Sequence, residues 1–211
     1  MNCWIKVCLA RCEPSELAIG RELTIMLKQV EADIPALRLE DFIPDQPKSF
    51  DSVASTQSLN FDSTSLIEGV KVELLTTGID KRGMLHELLT TRDEAIEAIV
   101  HVYQVVADPG SVRAWVYHRF QSDRLCFTNG HFKWALYDIR PGSPTYGQLN
   151  ELHLGASLRC RLTIPPYVIH GVKNCGEQTA SFINCPTNVY RHDRPDKCRL
   201  PYGHPGVPYT F

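Results

Sequence analysis

From Leu66 to Phe211 the apolar positions fall into short runs that alternate with polar ones and are separated by turn residues. Eight such runs predict β-strands: Val70–Leu75, Val100–Val106, Val112–Phe120, Arg124–Thr128, His131–Ile139, Leu149–Leu154, Ser157–Ile164 and Ala180–Cys185. Between them lie Asp108-Pro109-Gly110, Thr128-Asn129-Gly130, Pro141-Gly142 and Asn174-Cys175-Gly176, residues that supply the turn dihedrals. The exception to this β pattern is a short turn at 93–99. Many short strands at near-regular spacing predict an all-β sandwich or jelly roll.

The first third of the chain reads differently. After Pro14, residues Leu17, Ile19, Leu23, Met26, Leu27 and Val30 recur at helical spacing and predict an amphipathic helix. The stretch 44–65 is rich in Ser, Asp and Pro and poor in aliphatics, the composition of a linker or surface arm. The chain therefore divides into an N-terminal helical extension (1–43), a linker (44–66) and a β domain (67–211).

Composition narrows the function class. The 211 residues carry 22 Lys+Arg against 24 Asp+Glu, a net charge of −2, which lacks the basic excess of a nucleic-acid binder. No apolar run approaches the roughly 20 residues of a membrane span, and the N-terminal run is broken by Lys6 and Arg11, so no signal peptide is expected. The eight cysteines form no CxxC pair, which points to free thiols in a reducing, cytoplasmic setting. No phosphate-cradling glycine loop is present.

Three segments carry a specific resemblance: 112–125, Asp138-Ile139-Arg140 with Ser143-Pro144-Thr145-Tyr146-Gly147, and Ile164-Pro165-Pro166 with His170-Gly171. Together with Asp80, Arg82, Gly83 and Glu87 upstream and the tail 200–211, they resemble the dTDP-4-dehydrorhamnose 3,5-epimerase family of cupins over about residues 68–211. The resemblance implies a jelly-roll β-sandwich with the substrate in its open end, a homodimer whose early strand crosses to the partner, and no cofactor. The implied reaction is epimerisation beside the 4-keto group of a nucleotide sugar. A C–H next to a ketone is acidified because the carbanion delocalises as an enolate; a base takes the proton, donors hold the oxyanion and an acid returns a proton.

The resemblance also implies site residues. Arg113 corresponds to the arginine that contacts the nucleotide diphosphate, and Arg82 and Glu87 to the segment reaching across the dimer. Four positions depart from the family pattern. Val116 stands at the place of the basic His, and Val189 at that of the acidic Tyr, with Tyr190 one position later. Asp123 replaces a Lys, and the C-terminal Asp that orients the base falls beyond the end of the chain. His118 shares strand parity with Val116 and is the surviving base, while Trp115 and Tyr117 point to the opposite face. His170 is assigned to the oxyanion, Tyr190 to a displaced acid, and Asp138 and Gln121 to substrate binding. His101 occupies the place of a Gln near the base. A metal would need His118, Gln121 and His170, a weak donor set, so none is expected. Two other readings stay open: a cupin recruited to another small-molecule reaction, such as a natural-product cyclisation in an apolar cavity, and a non-catalytic binding or assembly protein working through residues 1–66.

Overall fold

A computed structural model describes residues 65–92, 96 and 98–211, so the predicted N-terminal helix, nearly all of the linker and most of the 93–99 turn lie outside the described residues. Twelve strands are described: β1 (Lys71–Leu74), β2 (Thr77–Asp80), β3 (Gly83–His86), β4 (Tyr103–Ala107), β5 (Val112–His118), β6 (Asp123–Asn129), β7 (His131–Asp138), β8 (Leu149–Gly155), β9 (Cys160–Ile164), β10 (Val168–Asn174), β11 (Ala180–Asn184) and β12 (Lys197–Arg199). They form two five-stranded sheets, β1-β9-β6-β11-β4 and β12-β5-β10-β7-β8, and a separate hairpin, β2-β3. Every pairing is antiparallel, as expected of a jelly roll.

The predicted alternation sorts side chains between two layers. Leu125, Phe127, Phe132, Trp134, Leu136, Leu162, Val168 and Phe182 form the main core. Phe127, Phe132, Trp134 and Phe182 meet with ring centroids 5.3 to 6.3 Å apart, mostly edge-on, and each such aromatic pair adds about 0.5–1.5 kcal/mol beyond the area it buries. A second cluster holds Trp115, Ala135, Ile169 and Val207, with Tyr117, Tyr209 and Phe211 packed against it. Residues of the C-terminal tail thus cover the face of β5 to which parity assigned Trp115 and Tyr117. Gly171 permits this packing: a Cβ there would stand 2.8 Å from Ala114 Cβ and 2.9 Å from rings of Phe211 and Trp115.

Three features of the fold lie outside the eight predicted runs. β10 follows Pro165-Pro166 and carries Gly171 at its centre, which masks its strand character. The β2-β3 hairpin and β12 are too short to show a period. Both β10 and β12 flank β5, so the strand carrying His118 is held between two elements that the hydrophobic pattern does not display.

Candidate functional site

β5 and β6 are joined by a tight turn, 119–122, fastened by a residue far along the chain. The Asp196 carboxylate accepts hydrogen bonds from the backbone N–H groups of Arg119, Phe120 and Gln121 at 3.0 to 3.1 Å. The turn returns Asp123 beside His118. Across the sheet, His170 of β10 pairs in register with Val116, and a bulge between His170 and Val172 resets the strand beyond it. The turn before β10 places Tyr167 at φ 58°, and its N–H donates to His118 O at 2.8 Å, locking the entry of β10 to the end of β5.

These connections bring His118, Asp123 and His170 together, all three buried. Asp123 Oδ2 lies 3.5 Å from His118 Nε2 and 3.3 Å from His170 Nε2. Asp123 Oδ1 accepts from Gln121 Nε2 at 2.8 Å and Asn184 Nδ2 at 3.0 Å, and Asn184 Nδ2 also donates to Tyr103 Oη at 2.8 Å. Each imidazole has its other nitrogen turned away from Asp123. His170 Nδ1 lies 3.0 Å from Val168 O and His118 Nδ1 lies 3.6 Å from Asp196 Oδ2. The two rings stack with centroids 6.1 Å apart.

The electrostatics follow from burial and these partners. Burial opposes ionisation of Asp123, but His170, His118 and Asn184 outweigh it and hold its pKa well below the usual carboxylate range. Burial lowers the His118 pKa, with Asp123 pulling against it, which favours a neutral imidazole. Burial, together with the negative Asp123, pushes the Tyr103 phenol up to about 12.

Two cavities adjoin this hub. One of about 360 Å³ is lined by His101, His118, Gln121 and Tyr190, and one of about 430 Å³ by Val116, Asp123, Arg113 and His170. Tyr103, Lys197 and Arg199 line both.

The sequence-derived residues separate into three groups. His118, His170, Gln121, Arg113 and Tyr190 line the cavities, Tyr190 packing edge-on against His192. Asp138 lines neither; fully buried, it accepts bonds from Arg140, Ser143 and Thr145 and shapes the 139–148 loop. Arg82 and Glu87 lie outside the cavity linings and pair with Asp80 and Arg92. Val189 is 56% exposed and lines neither cavity.

Sequence reasoning missed several residues. Asp123 was read as a lost lysine, yet it is the carboxylate at the hub; its spacing from His118 across a turn was the available signal. Asp196, which the sequence reading did not single out, stands behind His118, with Oδ2 3.6 Å from Nδ1. Asn184, Tyr103, Lys197 and Arg199 arrive from distant strands and leave no local signal. Gln121, the presumed third metal donor, instead supports Asp123, so the donor set able to hold a metal is His118, Asp123 and His170.

Comparison with known proteins places the chain in a family. The chain is 34% identical over 146 residues to the spore coat polysaccharide biosynthesis protein SpsL of Bacillus subtilis (strain 168), covering 69% of this chain and 97% of that protein. The structure resembles a dTDP sugar isomerase from Desulfovibrio desulfuricans G20 with a TM-score of 0.64 and 26% identity, over 68% of this chain and 91% of that one. The fold is shared with a dTDP-4-dehydrorhamnose 3,5-epimerase from Sulfolobus tokodaii, with a TM-score of 0.58 and 22% identity, over 67% of this chain and 82% of that one. A profile of one family, described as dTDP-4-dehydrorhamnose 3,5-epimerase, matches residues 64–201, and the chain belongs to that family.

Proposed function

We propose that this protein is a nucleotide-sugar epimerase or isomerase that moves protons at carbon beside the keto group of a dTDP-4-keto-6-deoxyhexose-like substrate. The observation that carries this reading is the hub: a buried carboxylate between two imidazole Nε2 atoms, opening on cavities that also present cationic side chains. Family membership supplies the reaction class. His118 takes the proton, and its burial-lowered pKa suits a neutral acceptor near pH 7. His170 meets the enolate oxygen. Tyr190 stands at the wall of the smaller cavity as the group that returns a proton. Arg113, joined by Lys197 and Arg199, answers the charge of a diphosphate.

The charged groups in the linings favour this over an apolar natural-product cavity. Val116 shares the larger cavity with Leu125, Trp134 and Phe182, but Asp123, His170, Asn184 and three cations line it too. A homodimer belongs to the same reading. The β2-β3 hairpin carries Arg82, and its Ile79, Met84 and Leu85 are each more than half exposed, as an arm awaiting a partner subunit would be.

The test is solvent exchange. In heavy water, a dTDP-4-keto-6-deoxy sugar should gain deuterium beside its keto group, read by proton NMR. His118→Ala should slow the gain by about 10²–10⁴-fold. Absence of deuterium with the unaltered protein overturns the reading.

A further inference from the structure

The hub gathers three possible ligand atoms in one buried space. Val168 O can only accept, so the His170 Nδ1 facing it at 3.0 Å is a donor, and Nε2 is the ring nitrogen that faces Asp123 Oδ2. His118 repeats the arrangement, with Nδ1 facing Asp196 and Nε2 facing the same Oδ2. Gln121 Nε2 lies 3.4 Å from His118 Nε2 but bonds more closely to Asp123 Oδ1, at 2.8 Å. Two imidazole Nε2 atoms and one carboxylate oxygen therefore converge in a buried space. Charge-assisted N–H···O bonds are about 2.7–2.9 Å long, shorter than the 3.3 and 3.5 Å seen here. A single cation placed between these three atoms would engage all of them.

We propose that His118 Nε2, Asp123 Oδ2 and His170 Nε2 form a binding site for a divalent first-row transition-metal cation, with its remaining positions open to the cavities. Two donors each about 2.1 Å from a common cation stand roughly 3.0–3.4 Å apart at octahedral to tetrahedral angles, close to the observed His–Asp separations. Two imidazoles and one carboxylate with open positions are a donor set suited to iron(II), zinc and cobalt rather than magnesium or calcium. The outer shell is also in place. A carbonyl holds one ligating ring, a carboxylate faces the back of the other, and two amides fix the free oxygen of Asp123.

This inference rests on the epimerase reading for the use of the cation, not for its binding. A bound cation would supply Lewis acidity towards the enolate oxygen, and His118, Asp123 and His170 would hold it.

The experiment uses the full chain, stripped with a chelator and then dialysed, and titrated with cobalt(II) by calorimetry and visible absorption. Binding of one equivalent per chain is expected, with d–d bands of nitrogen and oxygen coordination and no thiolate charge-transfer band. Asp123→Asn and His170→Ala should each weaken binding by roughly 100-fold or more, with folding checked by circular dichroism. The doubly substituted His131→Ala/His153→Ala protein, which lacks the exposed imidazole pair on β7 and β8, should bind as the unaltered chain does. Absence of binding by the unaltered chain, or binding that survives both hub substitutions, overturns the proposal. The titration needs no substrate, so its failure leaves the epimerase reading standing. Conversely, absence of solvent exchange in both stripped and cobalt-loaded protein overturns that reading and leaves the metal site standing.

Discussion

Two aspartates are buried among the described residues, and their surroundings differ in one respect that decides what each can do. Asp138 is saturated: Arg140 donates through its backbone N–H, Nε and Nη2, and Ser143 and Thr145 donate hydroxyls, so both oxygens are occupied and the charge is neutralised on the spot. Asp123 is satisfied on one oxygen only, by amides that carry no charge, and its other oxygen faces two imidazoles at the cavity. In both, burial opposes ionisation and the partners overcome it. The difference is that Asp138 leaves no valence for a ligand, whereas Asp123 keeps one in reserve. A closed carboxylate ties a loop; an open one offers chemistry.

The sharpest way to break this contrast is to neutralise the open member. Asp123→Asn keeps the shape and removes the charge, and solvent exchange beside the keto group should fall by about 10²–10⁴-fold. Comparable losses in exchange and in urea-melt stability would make Asp123 a second structural aspartate. For the closed member the expectation reverses. Asp138→Ala leaves Arg140 uncompensated and should cost about 3–5 kcal/mol of stability in a urea melt, while exchange per folded molecule stays near that of the unaltered protein.

A smaller effect is expected at Asp196, which acts on the hub through the 119–121 backbone and the rear of His118. Asp196→Ala should lower kcat by roughly 10²-fold, the cost of misplacing a reacting group by about 1 Å, with KM little changed. A purely structural role would reduce the amount of active protein and leave kcat per folded molecule intact.

The mildest test is acid titration of the closed site. Asp138 is buried, but bonds from Arg140, Thr145 and Ser143 hold its folded pKa below that of the unfolded chain. Its contribution is therefore present above the unfolded carboxylate pKa of about 3.9 and fades as pH falls below it towards the folded value. Stability of the unaltered chain should drop more steeply below about pH 4 than that of Asp138→Asn. Parallel curves would remove Asp138 from the acid-sensitive groups.

Much of this domain was legible before any coordinates. All eight predicted runs overlap observed strands, and the parity of β5 correctly separated His118 from Trp115 and Tyr117. The Asp138-Ile139-Arg140 motif was visible too, but not its purpose: a charged residue in a recognisable motif looks the same whether it faces a ligand or a neighbouring arginine. Asp123 was misread for a related reason. Its identity, compared with a lysine, registered as a loss, because the two imidazoles that give it meaning lie on other strands.

Local sequence sets what depends on near neighbours: which runs extend, which side chains share a face, and where glycine and proline turn the chain. Strand periodicity is a local consequence of backbone geometry, so it survives in one dimension. Assembly of the whole sandwich is what brings β4, β5, β6, β10 and β11, with Asp196 beside β12, onto one carboxylate. That convergence depends on register, on a bulge in the β5-β10 pairing and on a turn fastened from 75 residues away. Register and bulges are settled by the packing of the whole sandwich, because each strand finds its place against neighbours that are remote in the chain.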